Sequence, residues 1–269
     1  MPETQTQIAD AGPVLGARGL AQAACRPLVT PLVRRIVAGA EALNAQHALN
    51  GNPPVHGTAA FPWVRGLEAA TPAIRAELAQ VLMGPARRPR FRQVAPHVRR
   101  IARVTDRRTF CLYAYGLRSA RNIAECPDTW QAVKAIPGLQ TAAFSILEPR
   151  QPMPVRRAPY NGVLRLHLGL IVPEAPVATL GLRVDAQLCR WEAGKALIFD
   201  GCYDHAAWNR TDSARVVLCL DFMKPTRQPA QLLNRALLNL ALFQPYVRGR
   251  AQGAERQEPL PARPPSSTV

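Results

Sequence analysis

An α+β fold with a β-rich core is predicted for this chain of 269 residues, on three observations. From Thr109 onward, short apolar runs alternate with Gly and Pro, the texture of strands joined by turns. Helical patterns precede and follow those runs rather than separating them, which favours segregated over alternating elements. Several short strands with turn signals between them point to a sandwich or small barrel. A chain of this length buries about three quarters of its unfolded surface, so such a core needs no disulfide or metal staple.

Each element has its own justification. Residues 1–30 mix Ala, Gly, Gln and Pro and read as a loose lead-in. A helix is expected across Pro31–Leu49, with Leu32, Ile36 and Leu43 sharing a broad face with alanines, and NGNPPVHG breaks it. Thr71-Pro72 reads as an N-cap followed by proline at the first helical position, opening PAIRAELAQVLM with a buried stripe of Ile74, Leu78, Val81 and Leu82. The runs FCLYAYG, TAAFSIL, VLRLHLGLIVP, KALIFD and RVVLCLDF read as strands. Residues 229–243 form an amphipathic helix with Leu233, Leu237 and Leu240 on one face. That face packs on the domain, or serves weak membrane-surface docking or self-association, with Arg235, Arg248 and Arg250 available to anionic headgroups. The Pro/Ser-rich tail GAERQEPLPARPPSSTV is expected to be disordered.

Composition excludes several classes. No apolar run approaches the roughly 20 residues needed to cross a bilayer, so no transmembrane segment is expected. The start MPETQTQIAD lacks a basic region followed by an apolar core, which points to a cytoplasmic protein. The six cysteines, Cys25, Cys111, Cys126, Cys189, Cys202 and Cys219, lie far apart with no C-x-x-C pair, and read as reduced thiols. A net charge of +16 suggests nucleic acid or an anionic surface, but the basic residues are nearly all arginine and are scattered from Arg18 to Arg263. Only Arg87–Arg108 clusters; it reads as a solvated helical face or as a site for an anionic partner, and nucleic acid is not the expected partner of the chain.

Two stretches carry candidate chemistry. In Val163–Val172 the alternation of a strand puts Leu164, Leu166, Leu168, Leu170 and Val172 on one face and Val163, Arg165, His167, Gly169 and Ile171 on the other. The leucine face belongs in a core. Arg165 and His167 then face solvent or a polar cavity suited to a carboxylate or phosphate. In Lys195–Phe222 a hairpin is expected, with His205 near one strand's end and Arg215 starting the next. One imidazole beside arginines suits a metal holding a bidentate keto acid, with arginine on the acid's far carboxylate; the same imidazole also fits a hydrogen-bonded turn.

The segment from Gly57 to Pro225, about 60% of the chain, resembles the aspartyl/asparaginyl β-hydroxylase family of iron(II)/2-oxoglutarate dioxygenases. The matching stretches are FPWVRGLEAATPAIRAEL, FCLYAYG, IPGLQTAAFSILEP, APYNGVLRLHLGLIVP, GLRV, RWEAGKALIFD and YDHAAWNRTDSARVVLCLDF, in family order. The resemblance implies a double-stranded β-helix, a jelly-roll or cupin-like barrel, over 57–225, between a helical lead-in at 1–56 and a helix and tail at 226–269. It implies 2-oxoglutarate and Fe(II) as cofactors. Ser145 matches the family serine that contacts 2-oxoglutarate, and Arg165 and His167 match the R-x-H pair lining the same cosubstrate. His205 matches the distal iron-binding histidine. Arg215, ten residues later, matches the arginine that pairs with the C5 carboxylate of 2-oxoglutarate.

One departure stands against these matches. The family's first iron ligand is a histidine eleven residues before the His of HLGL, and here that position holds Arg156. A guanidinium cannot be deprotonated and repels Fe²⁺. Either Glu148 or another neighbour fills the vacancy, or iron binds weakly through His205 and 2-oxoglutarate alone. In a third case the barrel works without metal, Arg156, Arg165 and Arg215 gripping a carboxylate while His167 or His205 moves a proton. The expected activity is therefore 2-oxoglutarate-dependent hydroxylation of an aspartyl-like, amino-acid or acyl substrate at an atypical iron site. The alternative is a metal-independent lyase, isomerase or cyclase, or a carboxylate-binding barrel. The partner in either case is a small-molecule or carrier-bound carboxylate substrate.

Overall fold

The structure is a computed structural model that describes residues 26–83 and 109–239. The basic run 87–108, the proline-rich tail, Cys25 and Leu240 lie outside the described residues. The chain divides into two compact units at Gly39/Ala40, and every strand belongs to the unit from Ala40 onward.

Eleven strands are present among the described residues. They are β1 (Val55–His56), β2 (Thr109–Ala114), β3 (Leu117–Arg118), β4 (Leu139–Leu147), β5 (Gln151–Arg156) and β6 (Val163–Ile171). β7 (Leu180–Val184), β8 (Gln187–Cys189), β9 (Ala196–Phe199), β10 (His205–Asn209) and β11 (Arg215–Met223) complete the set. They form a seven-stranded sheet in the order β1-β9-β6-β11-β4-β2-β3 and a four-stranded sheet in the order β5-β10-β7-β8. From β4 to β11 the chain changes sheet at every step except the β7–β8 hairpin, and every pairing is antiparallel. That path is a double-stranded β-helix.

The two faces of the large sheet explain the sequence pattern. Leu164, Leu166, Leu168 and Leu170 of β6 and Val216, Leu218, Leu220 and Phe222 of β11 are buried against Val64, Leu67, Ile74, Leu78 and Val81. Those partners come from helices α2 (Val64–Ala69) and α3 (Thr71–Met83). Each buried leucine contributes about 1.5–3 kcal/mol, so the sheet's outer face holds the helices firmly. The opposite face, with Phe199 and Val217, joins Leu180, Leu182, Val184 and Ala207 of the small sheet in the barrel interior. Arg165 and His167 therefore point into the barrel.

Several expectations are corrected. The first helix, α1, runs Arg26–Gln46 rather than Pro31–Leu49, and Ile36 is exposed while Ala40 and Asn44 are buried. The expected Lys195–Phe222 hairpin does not form. β9 pairs with β6 and β1, and β10 joins the other sheet before β11 returns. Two short helices, α4 (Ala120–Glu125) and α5 (Pro127–Lys134), lie between β3 and β4 where none was foreseen. The buried Glu77 of α3 accepts hydrogen bonds from the Asp128 and Thr129 amides at 2.7 and 2.8 Å and from the Thr129 hydroxyl at 2.6 Å. A carboxylate thus caps the α5 N-terminus. In the last helix, α6 (Ala230–Asn239), the buried residues are Ala230, Asn234, Leu237 and Leu238. Leu233 is only half-buried.

Candidate active site

One end of the barrel gathers Arg156, Arg165 and His205. There β4 and β6 begin, β5, β9 and β11 end, and β10 begins, because antiparallel pairing sets Phe222 opposite Leu139 and Arg165 opposite Phe199. The turn Asp200–Asp204 then delivers His205 to the same end.

Arg215 starts β11 at the far end and is buried. Its guanidinium carbon lies 4.3 Å over the centroid of the Trp191 ring. Nε and Nη1 of Arg215 have no hydrogen-bond partner. Burial lowers its pKa to about 10, which still leaves it a cation at neutral pH. A buried cation with two unmet donors is a site for an anion.

A row of rings leads from Arg215 toward the mouth. Trp191 Nε1 donates to His167 Nδ1 at 3.2 Å, which leaves the ring proton of neutral His167 on Nε2. His167 meets Phe199 edge-on with centroids 5.1 Å apart, and Phe199 meets His205 at 5.5 Å. His205 Nδ1 lies 3.0 Å from the Tyr203 carbonyl, which can only accept, so Nδ1 carries the proton and Nε2 keeps its lone pair. That Nε2 is buried and unpartnered. Burial, with Arg165 and Arg156 adding to it, lowers the His205 pKa to about 4, and burial with Arg215 holds His167 well below its usual value. Both imidazoles are neutral at neutral pH.

Arg165 is engaged by Asp221, Nε to Oδ1 at 2.7 Å and Nη2 to Oδ2 at 2.9 Å, a bidentate pair across β6 and β11. Asp221 raises the Arg165 pKa further above its ordinary value. Ser145 is half-buried on β4 opposite Val217, two residues along β11 from Arg215. Arg156 ends β5 directly opposite His205. Two residues of β5 lie between Met153 and Arg156, while one of β10 lies between Ala207 and His205. This bulge sets Arg156, itself exposed, opposite His205, where its charge helps to lower the His205 pKa.

Glu148 does not serve as a replacement ligand. It precedes β5, and its carbonyl accepts from Asn209 Nδ2, at the end of β5 and β10 away from His205. Trp208 does not line the mouth either, since its Nε1 donates to the Val177 carbonyl at 2.9 Å. Cys202 lies at the turn, its Sγ 3.6 Å from the Ala158 carbonyl, and Tyr203 packs on the barrel interior.

A profile of the family described as aspartyl/asparaginyl beta-hydroxylase matches residues 68–225. The chain is 51% identical over 233 residues, 87% of this chain and 83% of the relative, to the ornithine lipid ester-linked acyl 2-hydroxylase of Rhizobium tropici. The chain belongs to the aspartyl/asparaginyl β-hydroxylase family. It is 29% identical over 127 residues to the human aspartyl/asparaginyl beta-hydroxylase, covering 45% of this chain and only 16% of that protein. Among solved structures, the cupin domain of Schizosaccharomyces pombe Cnp3 matches with a TM-score of 0.29 and 13% identity over 37% of this chain and 62% of that one. The strand order itself carries the fold assignment. Membership makes the chain an enzyme of the β-hydroxylase type, in a family that in general depends on iron and 2-oxoglutarate.

This β-hydroxylase family member fits one of those two groups. The unmet donors of Arg215 suit a carboxylate of 2-oxoglutarate. The iron centre is not matched. The His205 lone pair offers one ligand, the residue opposite it on β5 is Arg156, and no cluster of three or more His, Cys, Asp or Glu residues able to hold a metal occurs among the described residues.

Two residues of the site are not marked by the sequence pattern. Trp191 supports both Arg215 and His167, and Asp221 holds Arg165. The only signal for Asp221 is its place in RVVLCLDF, one inward step beyond Cys219. Nothing in RWEAG marks Trp191 as inward.

Proposed function

We propose that this chain hydroxylates carbon 2 of an ester-linked acyl group on an amino-acid lipid, with 2-oxoglutarate as cosubstrate. The observation that carries the reading is the buried, donor-rich Arg215 at the base of a barrel whose sequence is half identical to an ornithine lipid acyl 2-hydroxylase. Bound 2-oxoglutarate would be the co-reductant of dioxygen, one oxygen atom ending in the acyl hydroxyl and the other in succinate, with CO2 released. Arg215, held over the Trp191 ring, would pair with one carboxylate of the keto acid. Ser145, opposite Val217 on the neighbouring strand, would donate its hydroxyl to that same carboxylate, and the Nε2–H of His167, with the Arg165 donors that Asp221 leaves over, would hold the other. The dry walls formed by Leu182, Val184, Phe199 and Val217 keep water from these charges, which strengthens each contact. His205 presents a neutral Nε2 toward the reacting end.

Arg156 favours one second reading. A cation opposite His205 would stabilise an enolate or carboxylate without metal, with His205 Nε2 accepting a proton.

Anaerobic titration of the metal-stripped protein with Fe²⁺, with and without 2-oxoglutarate, separates the two. A one-oxygen mass gain on the acyl chain of ornithine lipid, in air with 2-oxoglutarate, is expected, with iron held only when the keto acid adds its ligands to the single imidazole of His205. Absence of iron uptake and of oxygen gain would overturn the hydroxylase reading in favour of the metal-independent one. Arg215→Ala is expected to abolish 2-oxoglutarate turnover, and persistent turnover would remove Arg215 from its role. Arg156→His should raise iron affinity; unchanged metal content would show that position 156 does not limit it.

A further inference from the structure

Outside the barrel, a cleft of about 470 Å³ opens where β2, β3 and the start of β4 meet α5 and α6. Arg118, Lys134 and Arg235 line it, and no acidic residue does. None of these cations has a carboxylate partner among the described residues. Its apolar wall is aromatic: the Arg118 guanidinium lies 5.3 Å over the Trp130 centroid, and Tyr113 stands 6.0 Å from the same ring. From α6, Leu232 lies one helical turn before Arg235 and is 63% exposed.

We infer that this cleft binds the phosphate-bearing headgroup of an anionic phospholipid and seats the barrel mouth on a membrane surface. Two guanidiniums and an ammonium converging on one cleft match a phosphate, which arginine grips through paired N–H donors. A free phosphate would need only the cations. The aromatic wall and the exposed leucine beside them fit the boundary between headgroup and acyl chain, where amphipathic rings and leucine are favoured. The cleft also lies at the right end of the molecule. Its Gln140 precedes Thr141, whose hydroxyl accepts from the Asp221 amide at 3.1 Å, and Asp221 holds Arg165 inside the mouth. No helix among the described residues is long and apolar enough to cross a membrane, so attachment of this kind would be peripheral.

The inference is independent of the hydroxylation chemistry, because binding is read without turnover. The full chain is co-sedimented with phosphatidylcholine vesicles containing or lacking phosphatidylglycerol, and inorganic phosphate is titrated separately. Binding is expected only to the anionic vesicles. The triple variant Arg118→Gln/Lys134→Gln/Arg235→Gln should bind them roughly tenfold to a hundredfold more weakly. A control that neutralises the exposed Arg65, Arg75 and Arg190, removing equal charge elsewhere, should lose far less. An equal loss in the control would overturn the site in favour of diffuse attraction by the net charge of +16. Leu232→Gln should weaken vesicle binding and leave phosphate binding unchanged. Tight phosphate binding with no vesicle binding would overturn the lipid assignment. Thermal melts of each variant exclude loss of fold as the cause.

Discussion

Gly169 is the residue on which the site's inner wall depends. A Cβ there would run into the Glu192 carbonyl oxygen, because the 192–195 loop crosses β6 in close contact, with Gly169 N donating to the Lys195 carbonyl at 3.1 Å and Gly194 N to the Gly169 carbonyl at 2.8 Å. That approach brings Trp191 over His167. Gly169→Ala is expected to cost about 1–3 kcal/mol, read as a lower urea midpoint, and to weaken 2-oxoglutarate binding; an unchanged midpoint would refute the close approach. Trp191→Phe keeps a ring beneath Arg215 but removes the donor to His167 Nδ1. Nitrogen NMR should then report a mixture of His167 tautomers in place of the Nε2–H form, whereas an unmixed tautomer would mean that another group fixes the ring. At this scale the sequence is legible where chemistry follows strand alternation: Arg165 and His167 face inward because leucines two apart have to face the helices. Trp191 and Asp221 are not, since their roles come from partners 24 and 56 residues away.

Elements differ in how openly they announce themselves. β2, β4, β6, β9 and β11 belong to the large sheet, buried on both faces, and so read as near-continuous apolar runs. β5 carries Pro152 and Pro154, which argue against a strand, and it is tolerated because β5 is the edge of the four-stranded sheet. β10 is hidden because His205 and Asn209 are buried polar residues on its inner face. The Asn209 side chain ties Leu147, Glu148 and Ser213 carbonyls together at 3.0, 3.0 and 2.8 Å, a task invisible in a five-residue run. α5 rests on a carboxylate from another helix. Glu77→Gln replaces one acceptor oxygen with a donor facing the Asp128 and Thr129 amides, and should cost about 1–2 kcal/mol in urea unfolding with an unchanged m-value. A stability equal to that of the parent would mean that the helix caps itself through water.

In the unit from Ala40 onward, the helix-packed outer face and the closed interior leave polar groups few places to meet solvent, and among the described residues three histidines are buried. His56, His167 and His205 are each buried, and burial is the largest cause of the lowered pKa of each. Lys224 adds to the effect at His56; this lysine is itself buried in an ion pair of 2.9 Å with Asp200. Neither the net charge nor the spacing of these residues marks them as buried, because their burial is a property of barrel closure and not of any local run. The consequence for stability has a definite sign. A histidine with a folded pKa below its unfolded value binds protons more readily when unfolded, so its neutral form stabilises the fold above the unfolded pKa of about 6.5. That contribution declines as pH falls and is lost by the folded pKa, about 4 for His205. For His205 the full span is on the order of 3 kcal/mol. Urea midpoints measured at steps from pH 7 to pH 4 should therefore fall steadily, and His205→Gln should flatten the slope while leaving those of His56 and His167 in place. A slope unaltered by that substitution would mean that His205 is solvated in solution, and the neutral Nε2 on which the site depends would be lost with it.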